Sequence, residues 1–169
     1  MQMIQLNESG WAKSYLIFEK NSGKAAIIDP VYDFVNDYLT KIDTMGLKLE
    51  MCIATHTHAD HITGCFTIAE STGCDYVMWH STASLGVTKY VSEESELTLG
   101  DEKITFYHVP GHTEDSMLVV TAKHVFTGDF LFTGDGGVGR DDLPSGRMQS
   151  HFDSLKVMSK LSGDLLVCT

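Results

Sequence analysis

Basic residues are scarce in this chain. Its 12 Lys and Arg stand against 23 Asp and Glu, a formal net charge of -11 over 169 residues. An acidic surface disfavours a nucleic-acid backbone or an anionic membrane as main partner, because both are bound through clustered Lys and Arg. A local basic pocket for a small anion stays compatible with it. Long apolar runs are missing too. No stretch reaches the roughly 18 residues a bilayer-crossing helix needs, so no membrane span is expected. The start, Met1-Gln2-Met3-Ile4-Gln5-Leu6-Asn7-Glu8, has no basic segment and no apolar core, and does not read as a signal peptide. The 4 cysteines, Cys52, Cys65, Cys74 and Cys168, form no C-x-x-C pair. They read as free buried thiols, which places the chain in a reducing cytoplasm. Linkers, repeats and low-complexity tracts are absent. With 43% hydrophobic residues, one domain over residues 1–169 with a sizeable core is expected.

What is present is an alternation of short apolar strands and amphipathic segments. Lys13 to Phe18 and Lys24 to Ile28 read as strands joined by the turn Asn21-Ser22-Gly23. Asp33 to Met45 carries one apolar helical face, with Asp33 as N-cap and Gly46 as stop. Leu49 to Ala54 reads as a strand, Ile62 to Ser71 as a helix closing at Gly73, and Asp75 to Trp79 as a strand. Ser81 to Ser95 is ambiguous. Glu96 to Leu99 and Lys103 to Val109 form a hairpin around Gly100-Asp101, and Met117 to Thr121 and His124 to Thr127 form another. Phe130 to Gly146 reads as a Gly- and Asp-rich loop. His151 to Leu161 reads as a helix turning Phe152, Leu155, Met158 and Leu161 inward. Asp164 to Cys168 reads as a last strand about to deliver residues to a site, so a further C-terminal part is expected. Strand pairs followed by helices predict sheets covered by helices, an α+β chain.

The chemistry concentrates where strands end. Thr55-His56-Thr57-His58-Ala59-Asp60-His61 follows an apolar strand. His56 and His58 are two apart, so an extended chain puts both imidazoles on one side. Borderline divalent metals take this mixture of imidazole and carboxylate. The alternative, a solvated polar loop, leaves four ligand-type side chains repelling or unsatisfied. Pro110-Gly111-His112-Thr113 ends the next long strand, and its turn can aim His112 inward. Thr127-Gly128-Asp129 follows a third strand, where an Asp is by itself often only a turn residue. His80, His108, His124 and His151 have no partner spacing and read as surface or capping residues. Trp11 and Trp79 read as packing residues, and Ser92-Glu93-Glu94-Ser95-Glu96 as a solvated acidic turn.

Together with Ile28-Asp29-Pro30, these motifs resemble the metallo-β-lactamase superfamily, in the family's order and over nearly the whole chain. The resemblance implies an αββα four-layer sandwich with metals at one edge of two sheets. It implies that His56, His58 and His112 form one metal pocket and that Asp60 and His61 serve a second, with Asp129 between them. Asp29 would hydrogen-bond the His-rich loop from behind; as a plain turn residue before Pro30 it has an equally good explanation. The compact spacing from His61 to His112 and the start His61-Ile62-Thr63-Gly64 resemble the glyoxalase II and persulfide dioxygenase branch. Gly128-Asp129-Phe130-Leu131-Phe132, followed by Gly139-Arg140-Asp141-Asp142-Leu143, looks more like the persulfide (sulfur) dioxygenases. The chain departs from the family at Val138, where many relatives carry Cys, at Glu114-Asp115, where the family has Pro-Gly, and in lacking the family's last histidine.

Three readings follow. In the favoured one, His56, His112 and Asp129 hold one Fe(II), with Asp60 also in a catalytic role, and a glutathione-type persulfide is oxidised to sulfite with O2. In the second, two Zn, Fe or Mn ions hydrolyse a glutathione thioester. In the third, the chain is a non-catalytic metal-binding module. Arg140 is a candidate for a substrate carboxylate, or for an ion pair with Asp141 or Asp142. The partner is then a small thiol-derived substrate rather than nucleic acid or membrane, and relatives of this kind are often homodimers.

Overall fold

A computed structural model describes residues 1–7, 12–93 and 95–169. Trp11 and Glu94, and with them the readings made for both, lie outside the described residues. Among the described residues, thirteen strands and three α-helices follow one another. One sheet has six strands in the order β1 (Gln2–Gln5), β2 (Tyr15–Phe18), β3 (Lys24–Ile28), β4 (Lys48–Ile53), β5 (Asp75–Trp79) and β6 (Lys89–Val91). The first three strands pair antiparallel and β3 to β6 pair parallel. The second sheet runs β13 (Leu166–Cys168), β10 (His124–Phe126), β9 (Met117–Val120), β8 (Glu102–His108) and β7 (Glu96–Leu99). Only its β10–β13 pair is parallel.

Period-two alternation sorts the side chains into layers. Tyr15, Ile17, Ala26, Ile28, Met51 and Ile53 face the second sheet's Ile104, Phe106, Val119 and Phe126 in one buried cluster. The intervening residues Leu16, Phe18, Ala25, Ile27 and Cys52 turn the other way, onto α1 (Val35–Thr44) and α2 (Cys65–Thr72). The outer face of the second sheet, with Leu118, Val120 and Val125, packs on α3 (Met148–Met158) through Leu155 and Met158. The layers are therefore helix, sheet, sheet, helix, the αββα sandwich that the sequence led us to expect. Among the described residues, no helix is long and apolar enough to cross a membrane.

Several local expectations need correction. β1 was not foreseen: its four residues are half-buried or exposed, and their strand state comes from pairing with β2. Asp33 does not cap α1; it sits inside a 3-10 turn, Tyr32–Phe34, and the helix starts at Val35. The second helix starts at Cys65 rather than Ile62, because residues after His61 stay in the site loop. The ambiguous stretch yields β6, and the Gly-rich loop contains the small hairpin β11 (Leu131–Phe132) and β12 (Gly137–Val138). α3 begins at Met148, and its buried positions are His151 and Ser154. Phe152, expected inward, is 57% exposed, since it lies about 100° round the helix from that face.

Candidate metal centre

The residues of the three motifs meet at one edge of the sandwich, where the ends of β3, β4, β8 and β10 converge. The backbone amide of Met117 donates to the Thr55 carbonyl at 2.9 Å and ties the second sheet to the end of β4. His56, His112 and Asp129 offer ligand atoms that all lie within 4.8 Å of one another. So do His58, Asp60 and His61, in a second group. The His56 and His58 rings are 4.2 Å apart between centroids, and His56 and His112 are 4.9 Å apart.

Each imidazole of the first group is locked from behind. Thr55 donates its hydroxyl proton to Asp29 Oδ2 at 2.7 Å, so its oxygen is left to accept from His56 Nδ1 at 3.0 Å. His112 Nδ1 donates to the Arg140 carbonyl at 2.7 Å. Both contacts place the proton on Nδ1 and leave the Nε2 lone pairs free to bind a cation. Those two nitrogens aim at the same oxygen, Asp129 Oδ2, at 3.9 Å from His56 and 3.6 Å from His112. These separations are too long for hydrogen bonds. His56 is 2% exposed, and its Nε2 has no hydrogen-bond partner among the described residues. An orphaned buried nitrogen of that kind is costly unless an ion uses it. Burial, reinforced by neighbouring His58, His112 and His61, holds the His56 pKa well below the ordinary imidazole value, so it stays a neutral donor. Burial also raises the Asp129 carboxyl, against the pull of His112 and His58. Two imidazoles and one carboxylate around a common point fit a divalent transition metal.

The second group is held differently. His58 Nε2 lies 3.3 Å from Asp29 Oδ1, and His61 Nδ1 lies 3.1 Å from Asp60 Oδ1. Burial pulls the His58 imidazole down, but the Asp29 carboxylate outweighs it and leaves the pKa raised. Asp29 is thus more than a turn residue. It receives the Thr55 amide and hydroxyl, both at 2.7 Å, and faces His58. Its own backbone has a positive φ of 49°, a region Asp tolerates better than most residues.

Asp115 is a site residue that the sequence reading missed. It is 4% exposed and accepts from the Thr57 amide and hydroxyl and from the Thr113 hydroxyl, at 3.2, 2.5 and 2.7 Å. It therefore clamps the His-rich loop to the loop that carries His112. Burial alone would raise its pKa, yet hydrogen bonds from Thr57, Thr82 and Thr113 bring it below the usual carboxylate value. Its departure from the family's Pro-Gly was the one available signal. His151 was also misread. It is 2% exposed, stacks on Phe130 and bonds the Phe130 carbonyl at 2.7 Å, which supports the loop behind Asp129. Arg140 takes the ion-pair alternative: its exposed guanidinium bonds Asp142 at 2.7 and 2.9 Å. Its carbonyl, rather than its side chain, faces the site. Two glycines are required by close approach. A Cβ on Gly128, whose φ is 49°, would collide with Thr55 Oγ1, and one on Gly139 would collide with the Asp129 carbonyl.

The sequence model of the metallo-beta-lactamase superfamily matches residues 12–169. The chain belongs to that superfamily. ETHE1 from Myxococcus xanthus superimposes with a TM-score of 0.92 at 32% identity, over 99% of this chain and 74% of that one. A hydroxyacylglutathione hydrolase of Francisella philomiragia subsp. philomiragia is 31% identical over 95% of this chain and 62% of its own length. TTHA1623, crystallised in a di-iron-bound form, shares the fold with a TM-score of 0.77 at 23% identity, over 99% of this chain and 90% of that one. The chain spans between 44% and 64% of three curated relatives it matches.

Proposed function

We propose that this member of the superfamily is a persulfide dioxygenase that holds one Fe(II) through His56, His112 and Asp129. The observation that carries the reading is the contrast between the two ligand groups. In the first, the outer nitrogens are bonded away and the inner ligand atoms converge. In the second, Asp60 is exposed and each histidine lies against a carboxylate, His58 against Asp29 at 3.3 Å and His61 against Asp60 at 3.1 Å, although His58 Nε2, like His56 Nε2, is buried with no hydrogen-bond partner among the described residues. The G-D-x-L-F and G-R-x-D segments around Asp129 and Arg140 support the same branch.

Iron, when bound, supplies the one-electron chemistry that activates O2, which zinc lacks. The protein's part is to fix and to shelter. Thr55 and the Arg140 carbonyl orient the two imidazoles, and Asp129 supplies the negative charge. A cavity of ≈ 320 Å³ opens in front of these groups, with Tyr15, Phe126 and Phe132 as apolar walls that exclude water from the reacting sulfur. Overall, one persulfide, one O2 and one water give the thiol, sulfite and two protons.

A second reading rests on the second group's ligand atoms lying within 4.8 Å of one another. With an ion in each group and Asp129 between them, the site would hydrolyse a glutathione thioester. One experiment separates the two. The chain is loaded anaerobically with Fe(II), its metal content is counted, and O2 uptake is followed with glutathione persulfide. Uptake with one iron per chain is the expected result. No uptake, together with fast hydrolysis of an acylglutathione thioester at two metals per chain, overturns it in favour of the hydrolase.

A further inference from the structure

The cavity in front of the metal ligands has an uneven supply of charge. Asp29, Asp60 and Asp129 line it, and Lys13 is the one Lys or Arg among the lining residues. Burial favours the neutral form of two other groups on its walls. Burial pushes the Tyr15 phenol up to about 12, and its hydroxyl is already donated to the Thr169 carbonyl at 2.7 Å. Burial likewise pushes the Cys168 thiol up to about 11.

Lys13 is mounted firmly. The next residue, Ser14, is fully buried and donates its hydroxyl to the Asp29 carbonyl at 2.7 Å. The Ser14 carbonyl accepts from the Leu6 amide at 2.8 Å, and its Oγ accepts from Asn7 Nδ2 at 3.0 Å. A rigid base thus carries a long, flexible arm at the cavity. Among the described residues, no carboxylate forms an ion pair with the Lys13 ammonium. The chain's two arginines are committed elsewhere: Arg140 to Asp142, and Arg147 to the Pro144 and Gly146 carbonyls. An anionic ligand entering this cavity therefore meets Lys13 as the one Lys or Arg among the lining residues, the His58 imidazole being turned to Asp29. In a chain of net charge -11, a lone lysine beside three aspartates is placed for selection of a ligand rather than for general attraction.

We propose that Lys13 binds a carboxylate of the substrate, so that the site selects thiol derivatives with an anionic tail over neutral ones. The sulfur end of this assignment rests on the function proposed above; the carboxylate end does not. Lys13 is a specificity residue and touches no reacting atom.

The test uses the full chain loaded with Fe(II). Binding of S-methylglutathione, which keeps the tripeptide carboxylates and has no reactive sulfur, is measured by calorimetry for the wild type, Lys13→Gln and Lys13→Arg. Turnover is then compared between glutathione persulfide and the persulfide of 2-mercaptoethanol, whose tail is neutral. Lys13→Gln is expected to weaken S-methylglutathione about tenfold, which corresponds to about 1.4 kcal/mol. It should raise KM for glutathione persulfide by a similar factor while leaving kcat within about twofold, the pattern of lost uniform binding. The neutral-tailed substrate should be unaffected, and Lys13→Arg should restore the tripeptide ligand. Undiminished binding in Lys13→Gln, equal losses for both substrates, or no S-methylglutathione binding by the wild type overturns the assignment. Lys13-dependent binding without persulfide oxidation would instead overturn the dioxygenase reading and leave Lys13 in place.

Discussion

The two ligand groups lie side by side yet are built on different principles. His56 and His112 are nearly fully buried, and each has its Nδ1 bonded to a fixed oxygen, from Thr55 or from the Arg140 backbone. Their metal-facing nitrogens are left over by that arrangement. Asp60 is exposed, and both histidines of its group face carboxylates of neighbouring residues. A preformed set of ligands loses little freedom when a metal binds, whereas a set with one exposed carboxylate and histidines lying against carboxylates must first rearrange. The first group should therefore set whether metal is held, and the second should tune how it is held.

The comparison can be broken in order of expected effect. His56→Ala removes the most committed ligand, and metal analysis after dialysis should find the protein essentially empty, with turnover down on the order of a thousandfold. Metal content equal to the wild type would dismantle the site as described. Asp29→Asn acts one step back, through Thr55 and His58, and should weaken metal affinity by about 10–100-fold, read by chelator competition. Asp115→Ala frees the Thr57 and Thr113 donors; a loss of about 1–3 kcal/mol in chemical denaturation is expected for these buried donors, with a smaller loss of metal affinity than Asp29→Asn. His61→Ala should keep one metal per chain and lower turnover by no more than about tenfold. A fall from two metals to one would show that the second group holds an ion of its own. Arg140→Ala should leave both the melting temperature and metal content unchanged, because its side-chain pair is solvated and its carbonyl persists in alanine. A clear loss of metal there would mean that the guanidinium reaches the site.

Much of this was legible beforehand for a physical reason. Strands Asp75–Trp79 and Glu96–Leu99 were read with their observed ends, because a short continuous apolar run and an alternating one, each bounded by turns, leave little choice. The H-x-H-x-D-H, P-G-H-T and T-G-D segments all fall at strand ends, and the sandwich brings those ends to one edge. Elements without a periodic core face were harder. β1 is a strand only because β2 offers it partners, and at α3 the inward reading held for Leu155, Met158 and Leu161 but not for Phe152, because His151 and Ser154, which hydrogen-bond to loops, take the buried positions beside them.

The sequence by itself determined the ligand-type residues and an α+β chain of sheets covered by helices, since residue type and periodicity are local properties, and its resemblance to the superfamily implied the four-layer sandwich. It could not determine which nitrogen of each histidine faces a metal. That depends on Thr55, on Asp29 and on a backbone carbonyl contributed by Arg140, 28 residues from His112. Nor could it reveal that Asp115 joins two site loops, or that Lys13 shares a cavity with Asp129. Those assignments depend on side chains distant in sequence meeting at one sheet edge, and only the packed sheets bring them within hydrogen-bonding or ion-pairing reach.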